Sequence, residues 1–133
     1  MLERLDDMVN FHAQALRLRG ERQQVIASNI ANADTPNYKA RDMDFKSALA
    51  NAVHPGQGAL AVTDPRHLAS APAGSTASGA PLLYRIPLQD SVDGNTVNVD
   101  AERAAFAENA LRYEFNLTRL NQQLKGLLAA IQG

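Results

Sequence analysis

Apolar residues recur with a helical period at both ends of the chain and lose that period in between. Leu2, Leu5, Val9, His12, Leu16, Arg19, Gln23, Ile26, Ile30 and Ala33 follow a 3,4 spacing, which predicts a helix from about Leu2 to Asn32. A second seam runs beside it through Met8, Phe11, Ala15, Leu18, Arg22, Val25, Asn29 and Asn32. Two adjacent seams make a face broader than a two-stranded coiled coil needs. Such a helix is either buried in its own domain or touches several neighbours, with the polar seam positions fixing register.

At the other end, Phe106, Ala110, Tyr113, Leu117, Leu120, Leu124, Leu127 and Ile131 keep an unbroken 4,3 alternation, predicting a helix from about Asp100 to Ile131. Asp100 is its expected N-cap, and Glu102 in the first turn complements the helix dipole. Each helix is roughly 30 residues and therefore about 45 Å long, so the two are expected to pair lengthwise. The C-terminal seam carries seven large apolar side chains. Leaving them in water would forfeit roughly 10–20 kcal/mol, as much as a whole domain's stability of about 5–15 kcal/mol. One partner helix covers one side of each seam, which favours assembly with other molecules.

Between the helices the punctuation changes. Five of the six prolines and five of the eight glycines fall between His54 and Gly94. This predicts an irregular middle, entered through a short helix near Asp44 to Val53. Leu60–Thr63 and Pro81–Ile86 read as strand-like pieces, and the small-residue run Ala69–Ala80 as a mobile surface loop. The fold class is mainly α: long terminal helices pair as a coiled-coil-like hairpin that packs in a helical assembly, around a Pro/Gly-rich middle with short strands. The zones are residues 1–53, 54–94 and 95–133.

Composition narrows the function. Of 133 residues 45% are hydrophobic, but 23 are alanine and only 5% aromatic, too little bulk for a large core. A net charge of −1 gives no electrostatic footprint for nucleic acid. The absence of cysteine excludes a disulfide scaffold and a thiolate zinc site. The acidic start, Met1 to Asp7, lacks the basic and continuous apolar regions of a cleaved signal. An enzyme would have to work with His12, His54, His67 and Asp64, and the separation of the last two histidines matches no metal-ligand spacing. No catalytic, cofactor or metal site and no small-molecule substrate are expected.

The segment Val25 to Phe45 has its own logic. Asn29 and Asn32 lie three apart on one helical face, and Asn32 can close the helix in the left-handed conformation. Pro36 forces Thr35 to be extended and stops the helix. Asn37 suits a turn with positive φ, while Tyr38 and Phe45 anchor the chain beyond it. Ser28-Asn-Ile-Ala-Asn-Ala-Asp-Thr-Pro-Asn-Tyr-Lys39 resembles the N-terminal signature of bacterial flagellar axial proteins, the rod and hook family. Ala40-Arg-Asp-Met-Asp-Phe45 and the short length resemble its proximal-rod members. Gly94-Asn-Thr-Val-Asn-Val-Asp100 and Ala107-Glu-Asn-Ala-Leu-Arg-Tyr113 resemble the family's second motif. Asn37 departs from the glycine frequent in relatives.

The resemblance implies a structural subunit of the flagellar basal-body rod, exported through the type III apparatus without a cleaved signal and stacked helically in the periplasm. Its implied partners are further copies, rod proteins of the FlgC, FlgF and FlgG type, and, at the rod base, a FliE-type adaptor with the MS ring and export gate. A different axial subunit, or a soluble helical adaptor or export chaperone, is the alternative. Leu5, Val9, Leu16, Ile26, Asn29, Ile30, Asn32, Pro36, Tyr38, Phe45, Phe106, Tyr113, Leu117, Leu120, Leu124, Leu127 and Ile131 are the expected subunit-interface residues, with the Asn29 and Asn32 amides bonding to an adjacent chain.

Overall fold

A computed structural model describes residues 2–54, 74–76, 79–87 and 91–133. Helix α1 spans Leu2–Ala31, strand β1 Arg41–Met43, helix α2 Phe45–Val53, strand β2 Leu82–Tyr84 and helix α3 Val99–Gln132. The two long helices pack against each other, as their matched seams predict. Leu60–Thr63, most of the small-residue run and the Asp64/His67 pair lie outside the described residues.

Local chemistry explains the element ends. Asp44 caps α2, its carboxylate accepting from the Ser47 amide at 3.3 Å and the Ser47 hydroxyl at 2.8 Å. At α3 the cap is Asn98 rather than Asp100: its side chain accepts from the Ala101 amide, and Asp100 sits one residue inside the helix. Asn37 takes φ 62°, whereas Asn32 does not have positive φ. Helix α1 therefore ends without a left-handed cap at Asn32, and the reversal falls five residues later.

The middle zone is less peripheral than its composition suggests. Strands β1 and β2 pair antiparallel, Asp42 opposite Leu83, and Ser75 bridges to Pro81. Met43 and Leu82, on one face of this pair, join Leu18, Ala48 and Ala80 in the core, with Val25, Phe45, Leu49 and Ala52 around them. Ala80, read as part of a loop, is thus a core residue. The core lies where α2 and the strand pair cap α1. Along α3 the only buried residues are Glu102 and Asn109.

Candidate assembly surface

The turn after α1 is held by the segment that precedes α3. Asn95 sends its amide nitrogen to the carbonyls of Asn32, Ala33 and Thr35 at 3.0, 2.8 and 2.9 Å, satisfying acceptors that the end of a helix leaves open. The Asn37 amide donates to the Asp93 carbonyl, the Thr96 amide to the Tyr38 carbonyl, and the Ala40 amide to the Thr96 hydroxyl. Lys39 Nζ donates to the Gly94 carbonyl. Gly94 has φ 75°, and a Cβ there would lie 2.5 Å from Asn37 Oδ1. Two motifs 60 residues apart in sequence therefore form one knot.

Asn29 is the centre of a second cluster. It is fully buried, and it treats Arg41 as a strand partner would: Nδ2 donates to the Arg41 carbonyl at 2.6 Å and Oδ1 accepts from the Arg41 amide at 3.1 Å. Nδ2 also reaches Glu102 Oε2 at 3.2 Å, and the Tyr38 hydroxyl donates to Oδ1. Asn29, expected to bond an adjacent chain, has its donor and acceptor engaged inside the molecule. Asn32 bonds the Ser28 carbonyl and the Thr35 hydroxyl, again within the chain. Ile26, without exposed surface, and Phe45, packed at the core, are likewise spent internally.

Charges alternate through the same region. Arg22 pairs with Asp42 at 3.1 Å, Asp42 with Arg85 at 2.7 Å, and Arg85 with Glu102 at 3.2 Å. The four side chains come from α1, β1, the residue after β2 and α3, so the series ties both long helices and the strand pair to one place. Burial pushes the Glu102 carboxyl above the ordinary carboxylate range, against the opposing pull of the Asn29 amide and Arg85. Buried ion pairs add little net stability, but they punish any arrangement that separates them.

A third rung joins the long helices. Asn109 is fully buried and donates to the Arg19 carbonyl at 2.9 Å and to Gln23 Oε1 at 2.7 Å, while Arg19 Nη1 donates to Asn109 Oδ1. The Arg19 guanidinium also lies 3.6 Å from the Phe45 ring centroid. Burial, with Arg112 and Arg22 nearby, lowers its pKa to about 10. Sliding α3 by one turn would leave these groups unpaired, so the polar seam positions Arg19 and Gln23 fix register, as buried asparagines do in coiled coils.

The apolar seam of α3 behaves differently. Phe106, Tyr113, Leu117 and Leu124 are each about two-fifths exposed and Ile131 is 80% exposed. Leu120 and Leu127, like Leu5, Val9, Leu16, Ile30 and Tyr38 on the facing segments, are half-buried, and Pro36 is exposed. Helix α1 thus covers one flank of the seam and leaves the other open. Sequence reasoning missed a separate stripe, Leu111 at 73% and Phe115 at 65% exposure, because it falls outside the 4,3 repeat. It also missed Glu102, Asp42 and Arg85 as a set. His12 is half-buried beside the Phe11 ring, and among the described residues no metal-binding cluster occurs.

Comparison with known proteins adds to this geometry. Residues 10–39, all of α1 after its first eight residues together with its turn, match the family model described as flagella basal body rod protein. The whole chain is 48% identical to the flagellar basal body rod protein FlgB of Salmonella typhimurium, spanning 99% of that protein. Over 99% of its length it is 46% identical to FlgB of Escherichia coli, of which it covers 98%. Over 96% of its length it is 50% identical to FlgB of Cereibacter sphaeroides, covering 95% of that protein.

Proposed function

The chain belongs to the FlgB family of flagellar basal body rod proteins, and on that premise we propose that it is a structural, non-catalytic subunit of the proximal rod. Copies polymerise, with related rod proteins above them, into the hollow shaft that joins the MS ring and export gate to the distal rod. The chain reaches the periplasm through the type III export apparatus, without a cleaved signal, and a FliE-type adaptor meets it at the base. The observation that carries this reading is the inverted burial of α3: Glu102 and Asn109 are inside while Phe106, Tyr113, Leu117 and Leu124 remain open. A helix with its polar residues buried and its apolar ones exposed is built to be covered by other molecules. In this reading the interface comprises Leu5, Val9, Leu16, Ile30, Pro36 and the α3 seam, and the knot at Asn32 and Tyr38 gives that surface a fixed shape.

The test is imaging of purified basal bodies from cells whose only copy of the chain carries a tag between residues 69 and 73. Label around the rod base is expected. Intact basal bodies without label, or normal rods in cells lacking the chain, would overturn the reading.

A further inference from the structure

The knot between the end of α1 and the start of α3 contains a peptide bond prone to rearrange. Asp93 is followed by Gly94, and no other Asp or Asn in the sequence precedes a glycine. An aspartyl carboxyl carbon can close a five-membered ring with the nitrogen of the next residue. A side chain on that residue obstructs the approach, and glycine has none. Gly94 is also the residue the fold requires, because its φ is 75° and a Cβ there would lie 2.5 Å from Asn37 Oδ1. The knot therefore demands at this point the residue that leaves Asp93 open to reaction.

In the folded chain both reacting groups are committed elsewhere. The Gly94 amide donates to the Ser91 carbonyl at 3.1 Å. Asp93 Oδ1 accepts from the Ser91 hydroxyl and from the Asn95 amide at 3.1 Å. These bonds, that of Ser91 foremost, hold the Asp93 carboxyl below the ordinary carboxylate range, in the ionised form that is the poorer electrophile. The backbone around the bond is pinned as well. The Asp93 carbonyl receives the Asn37 amide at 2.8 Å, the Gly94 carbonyl receives Lys39 Nζ, and the Asn95 side chain holds three carbonyls of the opposite turn. Asp93 itself is exposed, so this network, and not burial, keeps the carboxyl from the nitrogen.

We propose that Asp93–Gly94 is a site of spontaneous backbone isomerisation that the knot keeps closed, so that a chain left unfolded is altered there and cannot rebuild the knot. The Gly94 nitrogen bonds to the Asp93 side-chain carboxyl carbon, and its proton leaves with the carboxyl hydroxyl as water. Water then adds to the resulting succinimide ring at the main-chain carbonyl and breaks that carbonyl's bond to nitrogen. The product is isoaspartate, with no atoms gained or lost overall. Its main chain runs through the former side chain and is one atom longer. The carbonyl that received the Asn37 amide becomes a carboxylate branch, and Asn95 is shifted from the carbonyls of Asn32, Ala33 and Thr35. Reaction proceeds only while the knot is open, so its rate in the folded chain follows the open fraction.

The test incubates the full-length chain at mildly acidic pH in guanidinium chloride and in native buffer with sodium chloride at equal ionic strength. Isoaspartate at position 93 is read in the tryptic peptide Ile86–Arg103, where electron-transfer fragmentation distinguishes it from change at Asp90 or Asp100. Wild type is expected to isomerise at least about tenfold more slowly in native buffer than in denaturant. Asn95→Ala removes the three-carbonyl clamp without touching either reacting group; it should lose most of that protection yet match wild type in denaturant. Ser91→Ala, at an exposed position, frees the carboxylate and leaves the clamp, so it should speed the native reaction even if Asn95→Ala does not fold. Chains carrying isoaspartate at position 93, returned to native buffer, should unfold at lower denaturant than unmodified chains of the same preparation. Equal wild-type rates in the two solvents, no isoaspartate at position 93 in denaturant, native protection unchanged in Ser91→Ala or in folded Asn95→Ala, or an unaltered unfolding midpoint would each overturn the proposal.

Discussion

Replacing Asn29 by alanine separates the two roles its amide could have. In the structure Asn29 serves the Arg41 amide, the Arg41 carbonyl, Glu102 and the Tyr38 hydroxyl. Tyr38 can turn to solvent or to Ser28, and Glu102 retains Arg85. The two Arg41 backbone groups have no substitute inside the fold. Each unpaired group costs about 1–3 kcal/mol, and the better helix propensity of alanine returns at most ~0.7 kcal/mol. A net loss of roughly 2–5 kcal/mol is expected, a large part of a typical total of about 5–15 kcal/mol. Asn32→Ala should cost under about 1 kcal/mol, because the Ser28 carbonyl still receives the residue 32 amide at 3.1 Å and Thr35 is exposed. Asn29→Asp should be at least as harmful as alanine at neutral pH, since it cannot donate to Arg41 and sets a second carboxylate beside Glu102. Urea unfolding of the purified full-length chain, followed by far-UV circular dichroism at one protein concentration, measures all three. Asn29→Ala within 0.5 kcal/mol of wild type, taken as about the noise of a surface substitution, or Asn32→Ala equally damaging, would refute the internal-clamp reasoning.

Gly94→Ala should lower stability by about 1–2 kcal/mol from the left-handed backbone alone, while Gly20→Ala, in mid-helix with nothing beyond the local helix backbone within 4 Å of the new Cβ, should raise it by about 0.5–1 kcal/mol; thermal midpoints moving in the same direction would contradict both. Glu102 has a raised folded pKa, so its contribution is fully present below the unfolded value of about 4.3 and is lost as pH rises through the folded value. Glu102→Gln should therefore gain on wild type as pH rises across that window, and a stability difference that does not vary with pH would exclude this. Leu124→Asp, at a side chain 42% exposed in the free chain, should leave export and monomer stability nearly unchanged while blocking rod formation; normal numbers of basal bodies would remove the open seam as an interface.

The parts of the fold legible in the sequence are those where one periodicity or one backbone constraint decides. The 3,4 and 4,3 repeats dictate α1 and α3, and Asp44 marks the start of α2. The turn chemistry around Pro36 leaves Asn37 as the residue to take positive φ, and at φ 62° it does. Of the strand pair, β2 falls within Pro81–Ile86, which reads as strand-like, whereas β1 is illegible because three residues are too few for alternation to register and Arg41–Met43 reads equally well as loop. Asn29 shows the other limit. Helical spacing places its amide on a face but does not say whether that face meets the chain itself or a neighbour, and only the path of Arg41 behind it decides. Glu102 fails for a related reason, since an acid in the first turn of a helix has a sufficient surface explanation in the dipole, which hides its burial against Arg85.

The division of labour along α3 follows from what each interaction does well. Hydrogen bonds and ion pairs are directional and gain little net free energy, so burying Asn109 and Glu102 at the α1 contact specifies one register without making the free chain very stable. Apolar contact is non-directional and scales with area, so it suits a surface whose partners arrive later. Had the leucines of α3 been buried and the polar residues exposed, the free chain would be more stable and would present little to a neighbour. The observed inversion makes the monomer's geometry exact in register but incomplete in burial, and the missing burial is the driving force left for assembly.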